Sequence, residues 1–429
     1  MARKQNKENP NKTPGAIRKW LRELKKNVSE SRISNTSMLR HIDWWVLGTM
    51  LIVSVFGLIC IYAATGSPVE GENLSLLQRM NSQSLKYPGL QLMWIGIGIG
   101  VVGVMTFFDY RIFGRYRDVF YWANILLLLG VKFLTMVGRG NANMFFSLGE
   151  RTIQPAEFGK IAMIIALARL FADRDHPVRT IRDVFWIFVY AGIPLFLVVI
   201  QPDIGTALVY VVILAILLLM ANTDHRLILG GISLAVIGIV LLWFMMSYSD
   251  NFRIDRIQVW LDQNYDINDA GLQTYNARIE LARGGLFGRG LFSVGNFAAL
   301  NYVPDDHTDF IFAVLCETFG FVGGGFIIIL YLILLLRMMY IAKHAGDAFG
   351  TYLVIGVMAM MFFHIFENIS MVIGLMPVTG IPLPFVSYGG SSYLTNSAGI
   401  GLVLNVAMRS RAGISNEAKP RSATRQLIR

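Results

Sequence analysis

The stretch Tyr302-Val303-Pro304-Asp305-Asp306-His307-Thr308-Asp309-Phe310 crowds three carboxylates and a histidine directly before an apolar run that continues into the 330s. That run is long enough to span a bilayer. Acids at a membrane–water boundary carry a desolvation cost, so their concentration there points to chemistry or to ion binding. A positioned carboxylate can take the proton of a hydroxyl, and converging carboxylate oxygens can hold a hard cation. The plain structural role for such residues is a helix N-terminus, with Thr308 or Asp309 capping the first turn and complementing its dipole. Capping accounts for one acid, at most two.

These residues need a membrane scaffold to position them. Of the 429 residues 54% are hydrophobic and only 15% charged, which excludes an ordinary soluble domain. Apolar stretches near 44–65, 89–108, 118–137, 153–171, 184–201, 203–221, 227–246, 309–341, 350–374 and 391–408 are candidate spans. The expected fold is all-α: a polytopic membrane protein of about ten transmembrane helices over residues 43–408, with a large, partly helical extracytoplasmic loop at 247–308. Residues 1–42 and 409–429 read as basic cytoplasmic tails, the first of them disordered in expectation. Of 38 Lys and Arg, eleven precede Ile42 and six follow Met408, a placement suited to anionic membrane lipids. No nucleic-acid partner is expected, because the basic tail lacks interleaved aromatics or a folded module.

The polar N-terminal forty residues contain no short apolar core of a cleaved leader, so the stretch from Trp44 is expected to remain as the first span. Cys60 and Cys316 lie inside spans and suggest neither a disulfide framework nor a metal site. Arg111, Arg115 and Arg117 in one loop and Arg174, Arg179 and Arg182 in another mark the cytoplasmic side. Both termini then lie inside, and the acidic cluster lies outside.

Several spans carry polar residues. Glu157 and Lys160 share a helical face and are expected to pair as a structural ion pair. Asp203 follows Pro202 where an N-cap is expected. Gly323-Gly324-Gly325 suggests close packing or a bend halfway along its span. His364, Glu367 and Asn368 should face the bundle interior. In the outer loop, Phe252–Leu261 and Leu272–Leu281 have the spacing of amphipathic helices lying on the membrane surface. Gly284-Gly285, Gly288 and Gly290 then suggest a flexible turn. Arg253, Arg256, Arg278, Arg283 and Arg289 decorate this region and suit phosphate oxygens, or pair with Asp255, Asp262 and Glu280.

The run Pro304-Asp305-Asp306-His307-Thr308-Asp309-Phe310-Ile311-Phe312 resembles the P-x-x-H-T-D-F-I-F pattern of the SEDS family of bacterial cell-wall polymerases (RodA, FtsW, SpoVE). Gln154-Pro155-Ala156-Glu157 with Lys160, Gln201-Pro202-Asp203-Ile204-Gly205-Thr206 and Gly284-Gly285-Leu286-Phe287-Gly288-Arg289-Gly290 agree with it. So does the run Gly380-Ile381-Pro382-Leu383-Pro384-Phe385-Val386-Ser387-Tyr388-Gly389-Gly390-Ser391-Ser392. These blocks stand in family order from the first span to about Arg409, and Met376–Pro384 is worded most like RodA.

The resemblance implies a membrane glycosyltransferase that polymerises lipid II into glycan strands at the outer face of the cytoplasmic membrane, for elongation or division. It also implies a class B penicillin-binding protein as partner. Asp309 matches the position considered catalytic and is the expected base, while Arg253, Arg256, Arg283, His307, Ser387 and Tyr388 are candidate substrate contacts. Asp305 and Asp306, with His307, are candidates to hold a divalent cation (Mg or Mn); no organic cofactor is expected. Two departures stand out: Met144-Phe145 where the family commonly has Arg-Trp, and Asn276-Ala277 where it has Gln-Ser. Competing readings are a flippase for a lipid-linked precursor, with Glu157, Lys160, His364 and Glu367 along its path, and an inactive scaffold of the cell-wall machinery.

Overall fold

The computed structural model describes residues 41–65, 85–136, 146–148, 151–174, 180–201, 203–221, 251–267, 271–291 and 306–411, with parts of 223–240 and single positions at 178, 269 and 303. Residues 1–40 and 412–429, Asp305 and the Met144-Phe145 departure lie outside the described residues, as does the side chain of Arg253. The long helices follow the predicted spans: α1 (Trp44–Ala64), α2 (Lys86–Phe107) and, after the short α3 (Tyr110–Arg115), α4 (Arg117–Met136). A hairpin of β1 (Phe146–Leu148) and β2 (Arg151–Ile153) leads to α5 (Pro155–Ala172), α6 (Ile181–Ile200) and α7 (Ile204–Met220). The outer loop contributes α8 (Asn251–Leu261) and α9 (Leu272–Arg283). The bundle closes with α10 (Ile311–Lys343), α11 (Ala348–Val372) and α12 (Gly390–Arg411).

Among the described helices α1, α2, α6, α10 and α11 are each long and apolar enough to cross a bilayer, which makes this a multi-pass membrane protein. Helices α5 and α12 are less apolar for a packing reason. Both are buried along nearly their whole length, so their small and polar residues meet other helices instead of lipid. Helix α11 is the hub, packed by α5, α7, α10 and α12. The antiparallel hairpin, with Phe146 opposite Ile153, was not foreseen; it delivers the chain to Pro155 in the first turn of α5.

Asp203 caps α7 as expected, accepting from the Thr206 amide at 2.9 Å. Residues 306–309 form a turn, and Phe310 occupies the N-cap position of α10 without a side-chain cap bond of its own. Asp309 therefore stands ahead of the helix.

The expected bend also moves. The three glycines at 323–325 remain helical, and the break falls at Gly320 (φ 71°, ψ −170°). A break interrupts the i→i−4 bonds and leaves backbone groups needing partners inside apolar surroundings. The 284–290 turn supplies them, so it is a fixed part of the bundle and not the flexible turn its glycines suggest. Arg289 and Gly290 donate to the Glu317 and Thr318 carbonyls, while Phe321 and Val322 donate to Gly285 and Leu286. The fit needs glycine: a Cβ on Gly320 would lie 2.3 Å from the Gly288 nitrogen, and one on Gly288 2.2 Å from the Thr318 oxygen. Helix α9 is also docked, with Asn276, Ala277 and Glu280 buried and its body against α10. The Asn276-Ala277 departure thus lies in a packed joint.

Candidate active site

Asp309 sits where the outer turn meets the loop between α11 and α12. One side chain fixes the two strands of backbone there: the Asn368 amide donates to both the Asp309 and the Ile381 carbonyls, each at 2.8 Å. Asparagine has two N–H donors on one nitrogen, which is what such a bridge requires. One residue earlier on α11, Glu367 accepts a hydrogen bond from the Thr379 hydroxyl. Gly380, at φ 72°, lies between these anchors, and a Cβ on it would be 3.3 Å from Asp309 Oδ2. The Asp309 carboxylate therefore lies against a side-chain-free stretch of loop and remains partly exposed.

The start of α7 closes another wall, since a Cβ on Gly205 would meet the Thr379 carbonyl at 2.8 Å. Asp203 beside it accepts from the Gln154 side chain at 2.6 Å, and the Gln154 backbone amide donates to the Ser391 hydroxyl at 3.1 Å. Two residues before Asp309, His307 belongs to an aromatic group. The His307 ring is 4.6 Å from Tyr87 and 5.6 Å from Tyr388, and the Tyr388 amide donates to the His307 carbonyl at 2.9 Å. Rings of this kind can stack on a sugar face. Tyr87 was missed by sequence reasoning; it lies over two hundred residues from His307 with no motif linking them.

The remaining candidates fall in different places. Ser387 is buried and its hydroxyl accepts from the Leu383 amide at 2.7 Å, so it holds the turn. Arg256 donates to the Val378 carbonyl at 3.4 Å, over a pocket it lines with Trp260, Arg278 and Met376. Arg283 lies 3.5 Å from Glu317. Arg256 and Arg283 thus each engage a different loop joint.

Asp306 is buried with one oxygen 3.6 Å from His307 Nδ1. Near it lie Glu317 and Glu280, and neither oxygen of the fully buried Glu280 has a hydrogen-bond partner. Burial first, then Asp306 and Glu317, push the Glu280 carboxyl well above the usual carboxylate range. Among the described residues, no three His, Cys, Asp or Glu side chains are grouped so as to hold a metal ion; Asp305, the other acid of the expected cation site, lies outside the described residues.

Deeper in the bundle the predicted ion pair is present. Lys160 Nζ donates to Glu157 Oε1 at 2.6 Å and lies 2.9 Å from His364 Nε2. An ammonium only donates, so Nε2 accepts and the ring proton sits on Nδ1. The i,i+3 spacing foretold the pair; nothing local foretold the histidine.

The family model described as "Cell cycle protein", covering FtsW, RodA and SpoVE, matches residues 43–412. The chain belongs to this family. Peptidoglycan glycosyltransferase MrdB of Escherichia coli K12 is 31% identical over 366 residues, 85% of this chain and 93% of that protein. Stage V sporulation protein E of Bacillus subtilis is 33% identical, covering 85% of this chain and 96% of that one. A solved peptidoglycan synthase complex, described for its coordination of polymerization and crosslinking, contains a chain that superposes with TM-score 0.67. That chain is 25% identical, with coverage of 86% of this chain and 98% of that one. RodA of Thermus thermophilus shares the fold at TM-score 0.60 and 24% identity, over 86% and 97% of the two chains. The FtsW/RodA/SpoVE match begins at Asp43 and runs one residue past α12, so it takes in every described span and both walls around Asp309.

Proposed function

We propose that this chain is a peptidoglycan glycosyltransferase that polymerises lipid II at the outer face of the cytoplasmic membrane, with Asp309 as general base. The observation that carries the base assignment is its placement. Asp309 stands outside the helix that follows, its backbone clamped by Asn368 and its carboxylate against the bare backbone of Gly380. A carboxylate held in this way is oriented before substrate arrives, and orientation is a large part of what a catalytic base contributes.

The acceptor sugar's 4-hydroxyl attacks the anomeric carbon of the donor. A C–O bond forms, the bond from that carbon to the pyrophosphate oxygen breaks, and undecaprenyl pyrophosphate leaves with the electron pair. Asp309 takes the hydroxyl proton. The ring group of His307, Tyr87 and Tyr388 flanks the path of the sugars.

The flippase reading is weakened by the mid-membrane charges. Buried Lys160 is bonded to both Glu157 and His364, so these groups satisfy one another and read as a structural cluster. Orientation with both termini inside is supported by the gathering of Arg111, Arg337, Arg409 and Arg411 at the end opposite Asp309. A class B penicillin-binding protein as partner is supported by the likeness to a chain of a polymerizing and crosslinking complex.

The test is glycan-strand formation from purified lipid II in detergent, with the cognate class B partner present. Wild type makes polymer, and Asp309→Ala loses about 10² to 10⁴ in rate while accumulating normally in the membrane. Polymer at the wild-type rate from that variant would falsify the base assignment.

A further inference from the structure

Two adjacent residues of α11 reach the Asp309 pocket from below, and neither belongs to the motif that singled Asp309 out. Asn368 ties the Asp309 carbonyl to the Ile381 carbonyl. Glu367 accepts from Thr379, two residues before Ile381. Gly380, the residue facing the Asp309 carboxylate, is thus held on both sides by one turn of helix. Both side chains are buried at 0% exposure in the helix that forms the hub of the bundle. They are anchored where the backbone is least able to move.

We infer that Asn368 and Glu367 are positioning residues for the Asp309 base: they set the distance between its carboxylate and the 379–381 loop that forms the opposite wall of the reaction site. This rests on the reading of Asp309 as the base. The hydrogen-bond chemistry assigns separate tasks. Asn368 works through two N–H donors, so Asn368→Asp, of the same shape, removes the bridge and sets an acceptor against two carbonyls. Glu367 works as an acceptor, so Glu367→Gln keeps the bond to Thr379 while Glu367→Ala and Thr379→Val remove it.

The experiment is steady-state polymerisation of lipid II by each variant in complex with its partner, with thermal stability of the purified protein measured alongside. A misplacement near 1 Å costs on the order of 10² in rate, so Asn368→Asp is expected to lose about that in kcat with KM for lipid II unchanged. Thr379→Val and Glu367→Ala lose about tenfold each, and Glu367→Gln recovers most of the loss. Thr379→Val carries the test if the buried substitution at 368 prevents folding. A rise in KM with kcat intact would make this loop a binding wall and overturn the positioning role. Unchanged kcat in these variants beside an inactive Asp309→Ala overturns this inference alone. Activity in Asp309→Ala overturns the reading beneath it.

Discussion

The two ends of this bundle use carboxylates in opposite ways. At the arginine-rich end, three acids are closed by cations. Buried Asp43 accepts from Arg337 at 2.8 Å and Arg411 at 2.6 Å. Asp347 accepts from Arg111 at 2.9 Å and from the Tyr110 hydroxyl at 2.7 Å. Arg409 lies 3.3 Å from Asp109. These pairs join the ends of α1, α10 and α12, and of α3 and α11. At the outer end Glu367 and Asp203 accept from neutral groups, Thr379 and Gln154, and Asn368 bonds the backbone of Asp309, while Glu317 lies 3.5 Å from Arg283. A carboxylate closed by a guanidinium is a joint. One oriented by amides and hydroxyls keeps its negative charge available for a proton.

The contrast predicts a crossed pair of phenotypes, and this is the largest effect expected. Asp309→Ala slows strand synthesis by about 10² to 10⁴ and leaves folding intact. Asp43→Ala does the reverse: it strands two arginines beside one another and costs about 2–3 kcal/mol of stability, while turnover per folded molecule is retained. Thermal unfolding in detergent, scored beside polymerisation, reads both. Equal loss of activity per folded molecule at the two ends would erase the distinction.

The next effect tests whether the outer end is as rigid as its hydrogen bonds require. Gly320→Ala forces a Cβ into backbone at a φ that L-residues seldom adopt, and about 2–3 kcal/mol of destabilisation is expected. Proteolysis between α9 and α10 should rise in the same variant. A Gly320→Ala protein with an unshifted melting temperature would show that the 284–290 turn is not fastened to the break.

How much of this was legible in the amino-acid sequence depends on separation along the chain. The described spans were read to within a few residues because about twenty apolar residues are required wherever a helix crosses a bilayer; the expected span at 227–246 lies largely outside the described residues. The Glu157–Lys160 pair and the Asp203 cap were legible because their partners lie three residues away. Asp309 was found through its motif. The Gly320 break was missed because its cause lies in a turn some thirty residues earlier; the neighbouring glycine triplet drew attention to the wrong place. Asn368 was seen to face inward, but its bond to Asp309, 59 residues away, has no local pattern. The outer-loop arginines were read as suited to phosphate oxygens or to pairing with Asp255, Asp262 and Glu280; in three dimensions Arg256 and Arg283 serve separate joints.

The smallest effect concerns Glu280, the outer acid held by neither a cation nor a hydrogen bond. The groups facing it are Asp306 from the acidic turn and Glu317 and Cys316 from α10, with Arg283 one turn along its own helix and directed to Glu317. Burial and these acids raise its proton affinity in the folded protein. Folding therefore retains a proton that an exposed glutamate releases near pH 4.3. The stabilisation from the protonated form is complete below that pH and is lost as pH rises toward the raised folded-state value. Docking of α9 on α10 should accordingly weaken with rising pH in the wild type. Glu280→Gln, which has the shape of the protonated acid and cannot ionise, should flatten that dependence and raise the melting temperature at alkaline pH by roughly 2–4 °C. Melting curves of the two proteins across pH decide it: parallel curves would mean that Glu280 is already ionised and neutralised by a cation, which would make the outer end resemble the inner one.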